Sequence, residues 1–145
     1  MIAPGDRKLP DTPDVIAPDG SEVRLLSATV RGSMAQFRLA PGQVSKAIVH
    51  HTVDEVWYVS AGRGRIWRKS GSHEMITQLE PGLSLTIFVG TAFQFRCDGD
   101  RSLDIIGVTM PPWPGDGEAQ FVVGVWSTTH CPCWACCVRA PAVSA

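Results

Sequence analysis

The sequence predicts an all-β chain folded as a sandwich or closed barrel. Short apolar runs recur at strand spacing, 11 prolines and 14 glycines punctuate them, and no segment keeps a helical period. A chain of 145 residues is long enough for one domain with a real core.

The elements follow in order. Residues 1–20 are polar and broken by Pro4, Pro10, Pro13 and Pro18, an arm with room for a short edge strand near Val15–Ile16. Residues 21–30 read as a strand, Arg31-Gly32-Ser33 as a turn, and residues 34–39 as the return strand, alternating Met34, Gln36, Arg38 against Ala35, Phe37, Leu39. Residues 45–51 are extended and 52–54 bend. Residues 55–60 hold Val56, Trp57, Tyr58 and Val59, which suit a pleated, half-buried surface. Further strands are expected over 65–69, 73–79, 83–89, 92–97 and 103–110, separated by glycine- or aspartate-rich turns. Residues 111–119 are irregular, and 120–126 are a candidate edge strand. About nine strands result. The expected organisation is an arm over 1–20, a barrel over 21–126, and a disordered cysteine-rich tail over 127–145.

Composition excludes several function classes. Thirteen basic against 14 acidic residues give no global field for nucleic acid or an anionic membrane. No signal-peptide core stands at the start, and no apolar run reaches the roughly 18 residues of a membrane helix. A soluble, cytoplasmic protein is expected. Cys97 stands alone while Cys131, Cys133, Cys136 and Cys137 crowd together, unlike a disulfide framework, which spreads its cysteines to staple distant loops. Serine-nucleophile, P-loop and dinucleotide signatures are absent. The basic run Arg63, Arg65, Arg68, Lys69 reads as a solvated hairpin, and His73 as exposed.

The stretch 42–64, GQVSKAIVHHTVDEVWYVSAGRG, carries a resemblance. Gly42, His50/His51, Glu55 and Gly62 resemble the first motif of the cupins, with the Glu55-to-Gly62 interval in register. Gly82, then the FVG triplet at 88–90, is similar to the second motif. Together these cover 42–97. The resemblance implies a double-stranded β-helix, a jelly-roll barrel whose lumen holds any active site. It also implies a metal site of three histidines and a glutamate, which this chain matches incompletely. The first histidine position falls on Val49 or Ile48, and the second-motif histidine falls on Phe93.

The candidate chemistry is therefore His50, His51 and Glu55 as ligands for a divalent Zn, Mn, Fe or Ni, weakly held or lost, since imidazole and carboxylate suit these ions without choosing among them. Adjacent strand residues face opposite sides, so only one histidine of a regular strand faces inward. A bulge would let both converge. Trp57, Phe93 and Phe95 are candidates to line the lumen. The other register turns Ala92, Gln94 and Arg96 inward, with Arg96 free to pair with Glu55 or an anionic ligand, and a one-residue slip exchanges the two faces. His130, Cys131, Cys133, Cys136 and Cys137 offer soft ligands in the tail, without the second separated pair of a folded zinc site.

The expected function is a lumen that binds a small polar or carboxylated molecule beside a depleted metal site. The alternative is a metal-dependent lyase, isomerase or dioxygenase. A homodimer is expected, through sheet packing or exchange of terminal strands, with the arm and residues 113–126 as the places to look. Neither nucleic acid nor membrane is an expected partner.

Overall fold

The computed structural model describes residues 5–129. Within them lie eleven strands: β1 (Val15–Ile16), β2 (Glu22–Thr29), β3 (Gly32–Leu39), β4 (Ile48–His50), β5 (Asp54–Ala61), β6 (Gly64–Ser70), β7 (His73–Leu79), β8 (Ser84–Ile87), β9 (Ala92–Cys97), β10 (Leu103–Met110) and β11 (Ala119–Phe121). The predicted edge strand at Val15–Ile16 forms, and the strand expected over 120–126 is shorter and earlier, Ala119–Phe121. Among the described residues no helix is long and apolar enough to cross a membrane.

The strands build two antiparallel sheets, one ordered β1-β2-β3-β10-β5-β8 and the other β11-β4-β9-β6-β7. Each strand's period-2 pattern decides its buried face. β5 reads DEVWYVSA, and Glu55, Trp57 and Val59 are buried while Val56, Tyr58 and Ser60 are exposed. β10 alternates in the same way. A one-residue slip would exchange these faces, so the pattern holds the register. Gly42, Gly62, Gly82 and Gly90, the glycines of the two sequence motifs, all take positive φ. At Gly62 a side chain would also strike the backbone of Ser102 and Leu103.

The interior divides along its length. At one end Leu39, Val59, Ile66, Phe95, Leu103 and Ile105 are fully buried and packed together. Burying each is worth about 2–3 kcal/mol. At the other end the same strands present Ala35, Glu55, Trp57, Phe93 and Gly107, and the sheets enclose an open cavity. Gly107 pairs with both Ala35 and Trp57. Two small residues side by side leave the space unfilled. A Cβ at Gly107 would meet the Phe37 ring and approach Trp57 Cδ1 at 3.2 Å, so glycine also lets Phe37 and Trp57 pack at 5.8 Å between ring centroids.

The described residues before β2 and after β11 both pack on this barrel. Arg24 donates to the Pro10 and Asp11 carbonyls at 3.0 and 2.9 Å, tying down the arm. Residues 122–129 cross the outer face of the five-stranded sheet as a strap. Val122 N donates to Ala47 O, and Thr129 N to Val44 O. Residues 127–129, expected to begin the tail, are thus part of the strap, and the His/Cys cluster lies outside the described residues.

Candidate functional site

The cavity has a volume of about 410 Å³, and its lining is mostly apolar. Its polar floor comes from β4 and β5. His50 ends β4 and Glu55 lies at the start of β5, and both are 3 % exposed. His50 Nδ1 lies 3.9 Å from Glu55 Oε1 and has no hydrogen-bond partner among the described residues. Glu55 Oε2 accepts a 2.6 Å hydrogen bond from Trp57 Nε1. Burial pushes the Glu55 carboxyl up to about 8, against the hydrogen bond from Trp57. Burial likewise lowers His50 to about 4, with the charge of Glu118 opposing. Both groups are therefore uncharged at neutral pH. The 3.9 Å approach is a gap between two neutral side chains, open to a bridging atom, rather than an ion pair.

The surrounding chain holds this geometry. The His50 ring meets Phe93 and Trp113 edge-on at 5.3 and 5.2 Å. Trp57 meets Phe93 and Phe95 at 5.6 and 5.1 Å. Such edge-to-face pairs add about 0.5–1.5 kcal/mol each beyond burial. The Glu118 carboxylate takes hydrogen bonds from Thr52 N, Thr52 Oγ1 and Val53 N. It clamps the bend between His50 and Glu55. Burial raises its pKa, and those hydrogen bonds outweigh burial and leave it lowered. On the far wall, Ser33 Oγ and Thr109 Oγ1 are 2.6 Å apart, and Ser33 Oγ accepts from Trp113 N at 2.9 Å. Trp113 and Glu118 fall in the segment the sequence marks as irregular. Its one signal is a tryptophan between prolines, Pro112-Trp113-Pro114.

The structure brings together four of the eight predicted site residues, His50, Glu55, Trp57 and Phe93. His51 is turned outward and exposed, without the bulge that would have brought it in. Among the described residues no three His, Cys, Asp or Glu side chains converge as a metal site. Of the set expected to hold metal, only His50 and Glu55 face each other, with Phe93 beside them. That donor set does not fit a three- or four-ligand ion.

Phe95 belongs to the packed half of the core, away from the cavity lining. Gln94 and Arg96 lie on the other face of β9, under the strap. Gln94 Oε1 accepts from Val125 N and Trp126 N, and its Nε2 donates to the Ser45 and Trp126 carbonyls, so this buried amide is a latch. Arg96 pairs with Asp98 at 2.6 Å, not with Glu55. It also lies over the Trp126 ring at 5.5 Å, as does its cross-strand neighbour Arg65 at 5.6 Å. Phe93 and Phe95 thus face inward, and the inward register of Gln94 and Arg96 is excluded.

No family model matches the chain, and no curated protein matches it in sequence. Solved structures match in shape. An uncharacterized conserved protein with a double-stranded β-helix domain from Klebsiella pneumoniae subsp. pneumoniae MGH 78578 superposes with TM-score 0.60 at 17% identity, over 72% of this chain and 85% of that one. KdgF from Halomonas sp. gives 0.59 at 17%, over 70% and 86%. The Drosophila melanogaster CENP-C cupin domain gives 0.57 at 15%, over 63% and 70%. Identities this low speak for shape and not for activity. The sheet order, the open-ended lumen and these neighbours agree with the glycine spacing of residues 42–90, and the chain has the cupin fold, a double-stranded β-helix.

Proposed function

We propose that this protein binds a small organic molecule in the barrel lumen, with an apolar body against the aromatic walls and a polar group between His50 and Glu55. The observation that carries the reading is the unpartnered His50 Nδ1, 3.9 Å from Glu55 Oε1, at the floor of a 410 Å³ cavity. A buried polar nitrogen without a partner costs about 1–3 kcal/mol. A ligand group in that gap recovers the loss. Pockets of this size, apolar with a few convergent polar groups, suit small molecules. A carboxylated ligand, expected from the sequence, is disfavoured, because among the described residues no lysine or arginine lines the cavity. The metal-dependent lyase, isomerase or dioxygenase needs more ligands than His50 and Glu55 supply.

A homodimer is part of the proposal. The outer face of the six-stranded sheet carries exposed Met34, Val56 and Tyr58, with Val108 paired to both Met34 and Val56 in register.

The test uses N-phenyl-1-naphthylamine, a neutral apolar dye that brightens out of water. One equivalent should bind. Ala28→Trp, at a cavity-lining exposed position of β2, should abolish binding and leave the melting temperature unchanged. No binding, or equal binding by the blocked variant, would sink the reading.

A further inference from the structure

The basic hairpin at 63–69 holds one arginine that is not a solvated side chain. Arg68 is half-buried on β6, on the same face as the core residue Ile66. From there it crosses to the other sheet, where its Nη1 donates to the Thr86 carbonyl of β8 at 2.8 Å. β7 and β8 end their respective sheets, and Arg68 lies in the cleft between them. The cleft has a volume of about 260 Å³ and shares no lining residue with the lumen cavity.

The charge of Arg68 is unbalanced. The other buried or half-buried arginines each face a carboxylate: Arg24 with Glu22, Arg38 with Asp104, and Arg65 and Arg96 with Asp98. Arg68 forms no ion pair among the described residues. Its other donations go to neutral atoms, Thr77 Oγ1 at 3.0 Å and Met75 Sδ at 3.5 Å. Burial lowers its pKa, with no neighbouring charge opposing among the described residues. Glu74 also lines the cleft, but it stands opposite Lys69 in register and accepts from Trp67 Nε1 at 2.6 Å, on the other face of the hairpin.

A second, independent observation is a donor left over. Arg68 Nε is buried and has no hydrogen-bond partner among the described residues. A partly desolvated guanidinium, short of both a counter-charge and an acceptor, is costly until an anion meets it. The lining matches a particular anion. One positive charge suits a singly charged group, and the planar guanidinium suits a carboxylate. Ser70, Thr86 and Thr91 bring hydroxyls to the same lining, and exposed Met75 and Phe88 bring apolar surface.

We propose that the cleft between β7 and β8 binds a small monocarboxylate, with its carboxylate paired to the Arg68 guanidinium and its apolar body against Met75 and Phe88. This site is separate from the lumen and does not depend on what the lumen binds.

The experiment titrates the isotope-labelled full chain with benzoate, benzyl alcohol and inorganic phosphate, at neutral pH and low salt, and follows backbone amides by NMR. Benzoate should shift the amides of 68–75 and 86–91 to saturation. Benzyl alcohol should leave those amides in place, and phosphate should bind there at least about tenfold more weakly. Arg68→Gln should cost benzoate at least about tenfold. Ser70→Trp fills the cleft from an exposed position, leaves Arg68 intact and should have the same effect, so it decides the matter if the Arg68 variant fails to fold. Arg31→Gln removes the same charge from the turn between β2 and β3 and should change nothing. Benzoate shifts that are absent, that fall only on the lumen strands, or that survive Ser70→Trp or a folded Arg68→Gln would each overturn the cleft site. Phosphate or benzyl alcohol bound there as tightly as benzoate would overturn the carboxylate class.

Discussion

Trp57 donates to Glu55 Oε2 at 2.6 Å from two positions along the same strand, and this leaves Oε1 facing His50 Nδ1 at 3.9 Å. The period of a β-strand makes the pair possible, since residues i and i+2 share a face. One local hydrogen bond thus orients a carboxyl that no arginine or lysine pairs with among the described residues. Trp57→Phe keeps the ring and removes the donor. It should weaken ligand binding several-fold with a small loss of stability, about 1 kcal/mol, read by dye titration and chemical denaturation.

The pH dependence of stability follows from two opposed shifts. Glu55 is raised to about 8, so the folded protein holds its proton more tightly than the unfolded chain. Its contribution is full below the unfolded value of 4.5 and is lost as pH rises through 8. His50 is lowered to about 4, so its contribution is full above the unfolded value of 6.5 and is lost as pH falls toward 4. Between pH 6.5 and 8 the Glu55 effect acts alone of the two, with a slope of about 1.4 kcal/mol per pH unit. Urea denaturation should show stability falling across that window. Glu55→Gln should flatten the fall, and an equal slope in the variant would refute the buried protonated carboxyl.

Glu118 clamps Thr52 and Val53 from well over sixty residues away in sequence. Glu118→Ala leaves two backbone N–H groups at that bend unpaired, at about 2–4 kcal/mol. Dye binding should fall with it, because the bend sets the distance from His50 to Glu55. Glu118→Gln should restore part of both. Stability unchanged in the alanine variant would show that the clamp is not needed.

The strap hangs on Gln94, whose amide makes hydrogen bonds to the backbone of Ser45, Val125 and Trp126. Gln94→Leu should speed amide hydrogen exchange across 122–129 and cost about 2–4 kcal/mol. Gly124→Ala should have the same effect, since its Cβ would come within 2.8 Å of the Ala47 Cβ and strike Gln94 itself. Exchange confined to the chain ends in both variants would contradict the latch.

Phe93 stands where the resembling sequences place a metal-binding histidine, with its ring 5.3 Å from that of His50. Phe93→His supplies a third donor beside His50 and Glu55. Cobalt added to the variant should bind near one equivalent and give a visible d–d spectrum, while the natural protein should hold less than about a tenth of that under the same conditions. Equal uptake by both proteins would show that His50 and Glu55 suffice for metal.

By itself the sequence determined the strands, the turns and, through the glycines at 42, 62, 82 and 90, the cupin fold. Those features are local: side chains alternate at period two, and positive φ favours glycine wherever the chain reverses. The inward set Glu55, Trp57, Val59 was legible for the same reason. Only the tertiary structure decided which face of β9 is inside, because Phe93 and Phe95 are apolar while Gln94 is nonetheless buried, under a strap some thirty residues later in the chain. It likewise decided that His50 and not His51 enters the lumen, through the pairing of β4 between β9 and β11. Trp113 and Glu118 come from a segment without periodicity, so no local pattern announces them.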